Sequence, residues 1–420
     1  MMRRLAAVLV FALLAPLAVA QQAPLKIGMV TFLSGPGAGI MGLPSRNAAE
    51  LTVEALNAGT LPAPYHRKGF GGTPIELVLL DEAGPVSSVV TQYRNLVQRQ
   101  NVDMVIGYIS SASCLAVAPV AEELKTLTVF FDCGTSRIFE EARYRYVFRT
   151  QSHATMDSVA AAKYVRQHFP KATRIAGLNQ NYAWGQDSWR DFEMSMRALE
   201  PNVEVVTSQM PRLFTGQFGT EISVLLNSGA QVVHSSFWGG DLEAFVLQAA
   251  PRGLFARVPV VFPAGESGVH KLKGKIPDGA IIGARGPHSF FAPDNALNRW
   301  FKAAYEKRFD AAASFTAYHM IQAILGAKAA YEKAQGGKAT RPTTEQIVAA
   351  FEHLSFETPS GTTRMALGEG HQGIQDHAYG MVKTIDGALT VVNVTRYPAE
   401  EVNPPPGVKS EAWIRGGMKR

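Results

Sequence analysis

The sequence predicts an α/β protein of two Rossmann-like lobes, each a parallel-type sheet covered by helices. Three observations carry that prediction. Short apolar strands alternate with longer helical patterns, the alternation restarts near residue 146, and 420 residues exceed what one hydrophobic core usually supports.

The first series of strands is Leu25 to Phe32, Ile75 to Leu80, Val102 to Gly107 and Leu127 to Phe131, each rich in β-branched or aromatic residues. Helical spacing of apolar residues fills Ser45 to Ala58 and Val86 to Arg99 between them. Continuous apolar strands separated by helices imply a sheet buried on both faces. The second series begins with Tyr146 to Thr150 and a helix over Met156 to His168. Strands then follow at Arg174 to Leu178, Val203 to Val206, Val232 to His234, Val258 to Phe262 and Ala280 to Gly283, with a helix at Ser188 to Leu199. Three helical stretches come next, Asn295 to Arg308, Phe315 to Lys333 and Thr344 to Leu354. Beyond a Gly/Thr-rich stretch from Pro359 to Gly373, Asp386-Gly387 joins Ala378 to Thr384 and Leu389 to Val394 as a hairpin. The Pro404-Pro405-Pro406 segment, residues 401–420, is expected to be a surface tail that builds no core.

At the N-terminus, Arg3-Arg4 precede an uncharged run, Leu5 to Ala20, that closes on Ala18-Val19-Ala20. This is the charged, apolar and small-residue order of a secretory signal, and it is shorter than a membrane span. Cleavage after Ala20 is expected, with export to the periplasm. The formal charge of +6 is spread over the chain without a dense basic run, which argues against nucleic acid as a partner. Two cysteines, Cys114 and Cys133, make neither a disulfide scaffold nor a zinc site. Cys114 opens the helix after one strand and Cys133 lies in the exit loop of the next. A bridge is therefore possible if those strands are neighbours, and a free Cys133 at a pocket wall is the alternative.

Ligands of parallel α/β sheets sit at the carboxyl ends of strands, where helix N-termini present unpaired N–H groups. Three exits are small and polar: Ser34 to Gly37, Ser110 to Ser113, and Asp132-Cys133-Gly134-Thr135-Ser136. Each could simply cap the next helix. Adjacent exits of this kind also make a cradle for a carboxylate. Gly37-Ala38-Gly39-Ile40-Met41-Gly42 has dinucleotide-loop spacing, but Asp81 comes about twice too far along for the ribose-binding acid. No cofactor is expected. Nucleophile-elbow, zincin and phosphate-loop motifs are absent, and the ten histidines are scattered without metal-ligand spacing. Neither catalysis nor a metal is expected.

Lys26-Ile27-Gly28, Leu33-Ser34-Gly35-Pro36, Leu80-Asp81-Glu82-Ala83, Ile106 to Ser113, Cys133-Gly134-Thr135, Tyr182-Ala183-Trp184-Gly185, Ala317-Tyr318 and Gly370 to Gly373 occur in an order that resembles the type I periplasmic binding proteins of branched-chain amino-acid ABC importers, the leucine/isoleucine/valine-binding type. The resemblance covers nearly the whole mature chain. It implies the periplasmic binding protein type I fold, with three hinge crossovers near Phe148 to His153, Gly283 to Ser289 and Glu357 to Gly373. Residues 21–148 and 285–356 would form lobe 1, and residues 149–284 and 357–400 lobe 2. It implies a ligand carboxylate held by Ser111 and Thr135, with Ala112 and Gly134 beside them in the ligand-binding set, and a ligand ammonium met by the Cys133 carbonyl. Glu266 falls close to the family's acidic partner for that ammonium, one residue out of register, with a solvated surface glutamate as the alternative. Trp184, and Phe237 or Trp238, would close over the ligand, with lobe core as their alternative.

The expected function is capture of an amino-acid-like solute by hinge closure and its delivery, by a monomer, to an inner-membrane ABC permease. A sensory receptor of the same fold, a binder of aromatic acids or amides, and a secreted hydrolase or dehydrogenase are the alternatives.

Overall fold

A computed structural model describes residues 23–272 and 274–419. The expected signal segment and its cleavage site lie outside the described residues. Fifteen strands are present among these residues: β1 (Leu25–Thr31), β2 (Ile75–Asp81), β3 (Met104–Gly107), β4 (Thr128–Phe130), β5 (Val147–Arg149), β6 (Arg174–Leu178), β7 (Glu204–Gln209), β8 (Val232–His234), β9 (Val260–Phe262), β10 (Ile281–Gly283), β11 (Ser355–Thr358), β12 (Gly361–Leu367), β13 (Gln372–Ile374), β14 (His377–Ile385) and β15 (Ala388–Tyr397).

They form two sheets, in the orders β11-β12-β13-β5-β4-β3-β1-β2 and β15-β14-β10-β9-β8-β6-β7. From β1 to β5 and from β6 to β10 the strands pair in parallel. Both cores therefore share one winding, 2-1-3-4-5 in their own chain order, which puts the crevice between the first and third strands at the sheet's carboxyl end. Every residue of β3, β4, β8 and β9 is buried, as the two-faced covering of these short apolar runs requires.

The expected third crossover is corrected. β11, β12 and β13 belong to the first sheet, where β13 pairs in parallel with β5 through Gln372 and Arg149. Lobe 1 thus extends through Ile374, and the chain crosses at Gln375-Asp376. Along β12 the inward Thr363, Met365 and Leu367 alternate with the outward Thr362 and Arg364. That period-2 signal, diluted by glycine and threonine, is what a linker reading overlooks.

The expected surface tail is also corrected. Ser410–Arg415 is a helix whose Trp413 and Ile414 are buried against Trp189, Phe192 and Met196 in the second lobe's core. Glu140 of the first lobe accepts hydrogen bonds from Ser410 N (3.0 Å) and Oγ (2.5 Å). Proline fixes the path of this segment, and two large apolar side chains anchor it.

The glycine-rich run after β1 is set by close packing on the strand exit. A Cβ on Gly42 would stand 1.8 Å from the Phe32 carbonyl oxygen, so only glycine lets the following helix close on the strand exit.

Candidate functional site

The carboxyl ends of the two sheets face each other. Met41, Ile109, Asp132 and Gly134 line the cleft from the first lobe, and Tyr182, Trp184, Trp238 and Ala264 from the second, with Arg285 in the crossover after β10. The lobes are shut. The space left between them is about 10 Å³, roughly the room of one water. A solute of amino-acid size enters only when the lobes part or Trp184 moves.

Lobe-to-lobe bonds hold this state. Thr135 Oγ1 donates to Asp187 Oδ2 (2.5 Å), Phe315 N to Glu266 Oε2 (2.8 Å) and Gly240 N to the Pro36 carbonyl (2.9 Å). Arg285 ties both sides together. Its Nη1 donates to Asp132 Oδ1 (2.7 Å) in the first lobe, its Nε to Asp157 Oδ2 (3.1 Å) in the second, and its guanidinium lies 4.5 Å above the Trp184 ring.

Of the residues singled out from sequence, Trp184, Trp238 and Gly134 line the cleft. Trp184 Nε1 donates to the Ser236 carbonyl (2.9 Å) and Trp238 Nε1 to Tyr182 Oη (2.7 Å), so both rings are fixed by their polar edges. A Cβ on Gly134 would stand 2.3 Å from the Trp184 ring, and glycine is what lets the indole seat there. The cradle is largely self-satisfied. Ser111 Oγ accepts from Gly134 N and Thr135 N (both 3.1 Å), which locks the two loops together. Glu82 accepts from Ile109 N and Ser110 N (both 2.8 Å). Burial raises the Glu82 pKa to about 8, with those N–H groups only partly offsetting it. The Cys133 carbonyl accepts from Arg149 Nη1 (2.9 Å) and Gln151 Nε2 (3.2 Å). Ala112 is half-buried in the first turn of helix Ser111–Glu123, which starts without a side-chain cap. That helix start therefore keeps first-turn N–H groups that no side chain caps.

Glu266 is fully buried, neither solvated nor lining the cleft. It takes the Phe315 N–H and lies 2.7 Å from His270 Nε2, joining the lobes at the start of helix Phe315–Gln335. Phe237 packs 4.7 Å from Phe218 and 5.6 Å from Phe245, ring to ring, in the second lobe's core. Cys114 and Cys133 form a disulfide, with Cα atoms 6.4 Å apart, because β3 and β4 are neighbours.

Asp132 and Arg285 were not assigned roles from sequence. Asp132 follows β4 in a loop whose hydroxyls and glycine are the stronger sequence signal. Arg285 sits at φ +50° between Ala284 and Gly286, in the crossover itself. A bulky residue in that region of backbone space is uncommon, and such residues concentrate at functional sites. Burial raises the Asp132 pKa to about 8, and Arg285 offsets only part of that. For Asp157 burial pushes the same way, but Arg285 and His377 outweigh it and hold the carboxyl at about 2. Asp132 Oδ1 also lies 2.8 Å from His319 Nδ1, while Oδ2 is buried and has no hydrogen-bond partner among the described residues.

A profile of the periplasmic binding protein family matches residues 24–388. A Leu/Ile/Val-binding protein homolog 4 from Brucella melitensis is 24% identical over 369 residues, covering 84% of this chain and 82% of that one. The crystal structure of an ABC-transporter solute-binding protein from Rhodopseudomonas palustris, complexed with 3,4-dihydroxybenzoic acid, matches with a TM-score of 0.76 at 23% identity, over 90% of this chain and 98% of that one. LivJ of Streptococcus pneumoniae, complexed with isoleucine, matches with a TM-score of 0.74 at 17% identity, over 90% and 100%. The type I fold seen in the sequence pattern is thus present in the structure and in these relatives. With two equally wound lobes closing carboxyl end to carboxyl end, and a family match over most of its length, the chain belongs to the periplasmic binding protein family, the solute-binding components of ABC transporters.

Proposed function

We propose that the cleft captures one small α-amino acid, binding it without chemical turnover, and hands it as a closed monomer to an ABC permease on the periplasmic face of the inner membrane. The observation that carries this reading is the buried, unpartnered Asp132 Oδ2 at the cleft wall. A buried carboxylate oxygen without a donor is costly, and a ligand ammonium supplies the missing donor and ionises the acid. Asp132 takes the role expected of Glu266, which is spent between the lobes. The start of helix Ser111–Glu123, which has no side-chain cap and follows the cleft-lining Ile109, supports a carboxylate at that end of the ligand, and Trp184, Tyr182 and Trp238 supply the apolar wall. Gly134 lines the cleft beside Trp184, and Ser111, Thr135 and Cys133 support that loop from behind.

An aromatic acid is the second reading. Two observations favour it: three aromatic side chains around one cleft, and an Asp132 carboxyl that stays protonated near neutral pH and so offers a proton to an incoming carboxylate. Calorimetric titration separates the two. Leucine, isoleucine, valine and phenylalanine are expected to bind wild type, and Asp132→Asn to weaken them by about 2–5 kcal/mol. Benzoate binding that survives Asp132→Asn, with no amino acid bound by wild type, would favour the aromatic acid and overturn the first reading.

A further inference from the structure

A second cavity, of about 320 Å³, lies away from the cleft, between the first lobe and the C-terminal segment. Volumes of this size accommodate small organic molecules. Arg149, at the end of β5, lines it and is fully buried. Its Nη1 donates to the carbonyls of Cys133 (2.9 Å) and Thr135 (2.6 Å), its Nε to Gln372 Oε1 (2.5 Å), and its guanidinium lies 5.6 Å from the Phe139 ring centre. Among the described residues no carboxylate comes within the 4.0 Å of an ion pair. Buried charges are ordinarily paired at contact, whereas the charge of Arg149 is met only at longer range, by Glu140, Asp157 and Asp187. Burial first, and then the charge of Arg285, hold its pKa down to about 9, and the more distant Glu140, Asp157 and Asp187 offset only part of that.

The neighbours add a donor and remove the competitors. His153 Nδ1 accepts the Thr155 N–H (3.2 Å), which places the ring proton on Nε2 of a side chain that lines the same cavity. Burial holds that imidazole well below its usual pKa, and hence neutral. The acids on the cavity wall are committed or exposed: Glu140 accepts from Ser410, Glu369 pairs with Arg143 at 3.0 Å, and Glu141 faces solvent. Lys409 stands exposed on the wall supplied by the C-terminal segment.

We propose that this cavity binds the carboxylate of a small organic anion, with Arg149 and His153 as donors and Lys409 at its mouth. The site is independent of the cleft assignment, although Arg149 links it to the Cys133–Thr135 loop. The test is the thermal midpoint of the mature chain titrated with succinate, and separately with sulfate, at constant ionic strength set by sodium chloride. Succinate is expected to give a saturable rise. Arg149→Gln should weaken it at least about thirtyfold. Because that change also frees two loop carbonyls and can impair folding, Val408→Trp, at an exposed residue of the same wall, serves as the second variant and should abolish the rise. No saturable rise, a rise with sulfate alone, or an unchanged response in Val408→Trp and Lys409→Glu would each overturn the assignment.

Discussion

Removing one hydroxyl, in Thr135→Ala, tests whether the closed state is held by direct bonds between the lobes. Thr135 Oγ1 donates to Asp187 Oδ2 across the cleft, and both residues are fully buried. A hydrogen bond to a charged group contributes about 1.5–3 kcal/mol. Asp187 keeps Arg137 at 2.7 Å and Arg190 at 3.2 Å after the change, so its charge is not stranded and the lower figure applies. A loss of about 1.5 kcal/mol moves the open–closed balance roughly tenfold toward the open form. The Ser111 bridge uses the Thr135 backbone N–H and survives. Small-angle scattering should therefore show a larger radius of gyration without ligand, and any cleft ligand should dissociate faster with an apparent affinity reduced by up to about tenfold. Unchanged scattering together with unchanged affinity would refute the latch. A loss far above tenfold would instead mean that the hydroxyl contacts the ligand itself.

The Cys114–Cys133 bridge closes a separation of 19 residues, and its removal by paired serine substitution should cost about 3 kcal/mol in denaturant unfolding; a cost under about 1 kcal/mol would show that helix and loop are held without it. Trp413→Ala empties a buried site on the second lobe and should destabilise it by about 3–5 kcal/mol, with exposure of Trp189 followed by fluorescence; a near-neutral result would return the segment to the role of a surface tail. Asp132 and Glu82 both bind a proton more tightly folded than unfolded, so their contribution is complete below about pH 4 and is lost as pH rises through about 8. The thermal midpoint of ligand-free protein should fall over that window, and Asp132→Asn should flatten the fall without abolishing it; an identical slope in wild type and variant would mean that Asp132 is ionised throughout. Asp157, lowered to about 2, works the other way, and its contribution is lost only under strong acid.

The two-lobed α/β architecture was legible because it rests on local signals. β3, β4, β8 and β9 are short runs of apolar residues, and buried parallel strands can be little else. The aromatic residues at strand exits, Trp184 and Trp238, were legible for the converse reason, since a large ring beside a glycine at a sheet's carboxyl end has little local purpose. Tertiary structure decided what pairs with what. β11 to β13 add to the first sheet because β5 offers them an open edge, a fact written two hundred residues earlier in the chain. Glu266 reads as a ligand group or a surface group until Phe315 arrives with an unpaired helix N–H, and the buried pairing then removes it from the cleft. Asp132, Asp157 and Arg285 carry no shared motif, being 25 and 128 residues apart in their two intervals, and they meet because the exit of β4, the first turn of helix Ala154–His168 and the crossover after β10 converge. Side-chain chemistry and its period belong to the sequence. Which donor finds which acceptor depends on the low-dielectric space between the lobes, where an unpaired charge is expensive and a distant partner is worth the fold that brings it there.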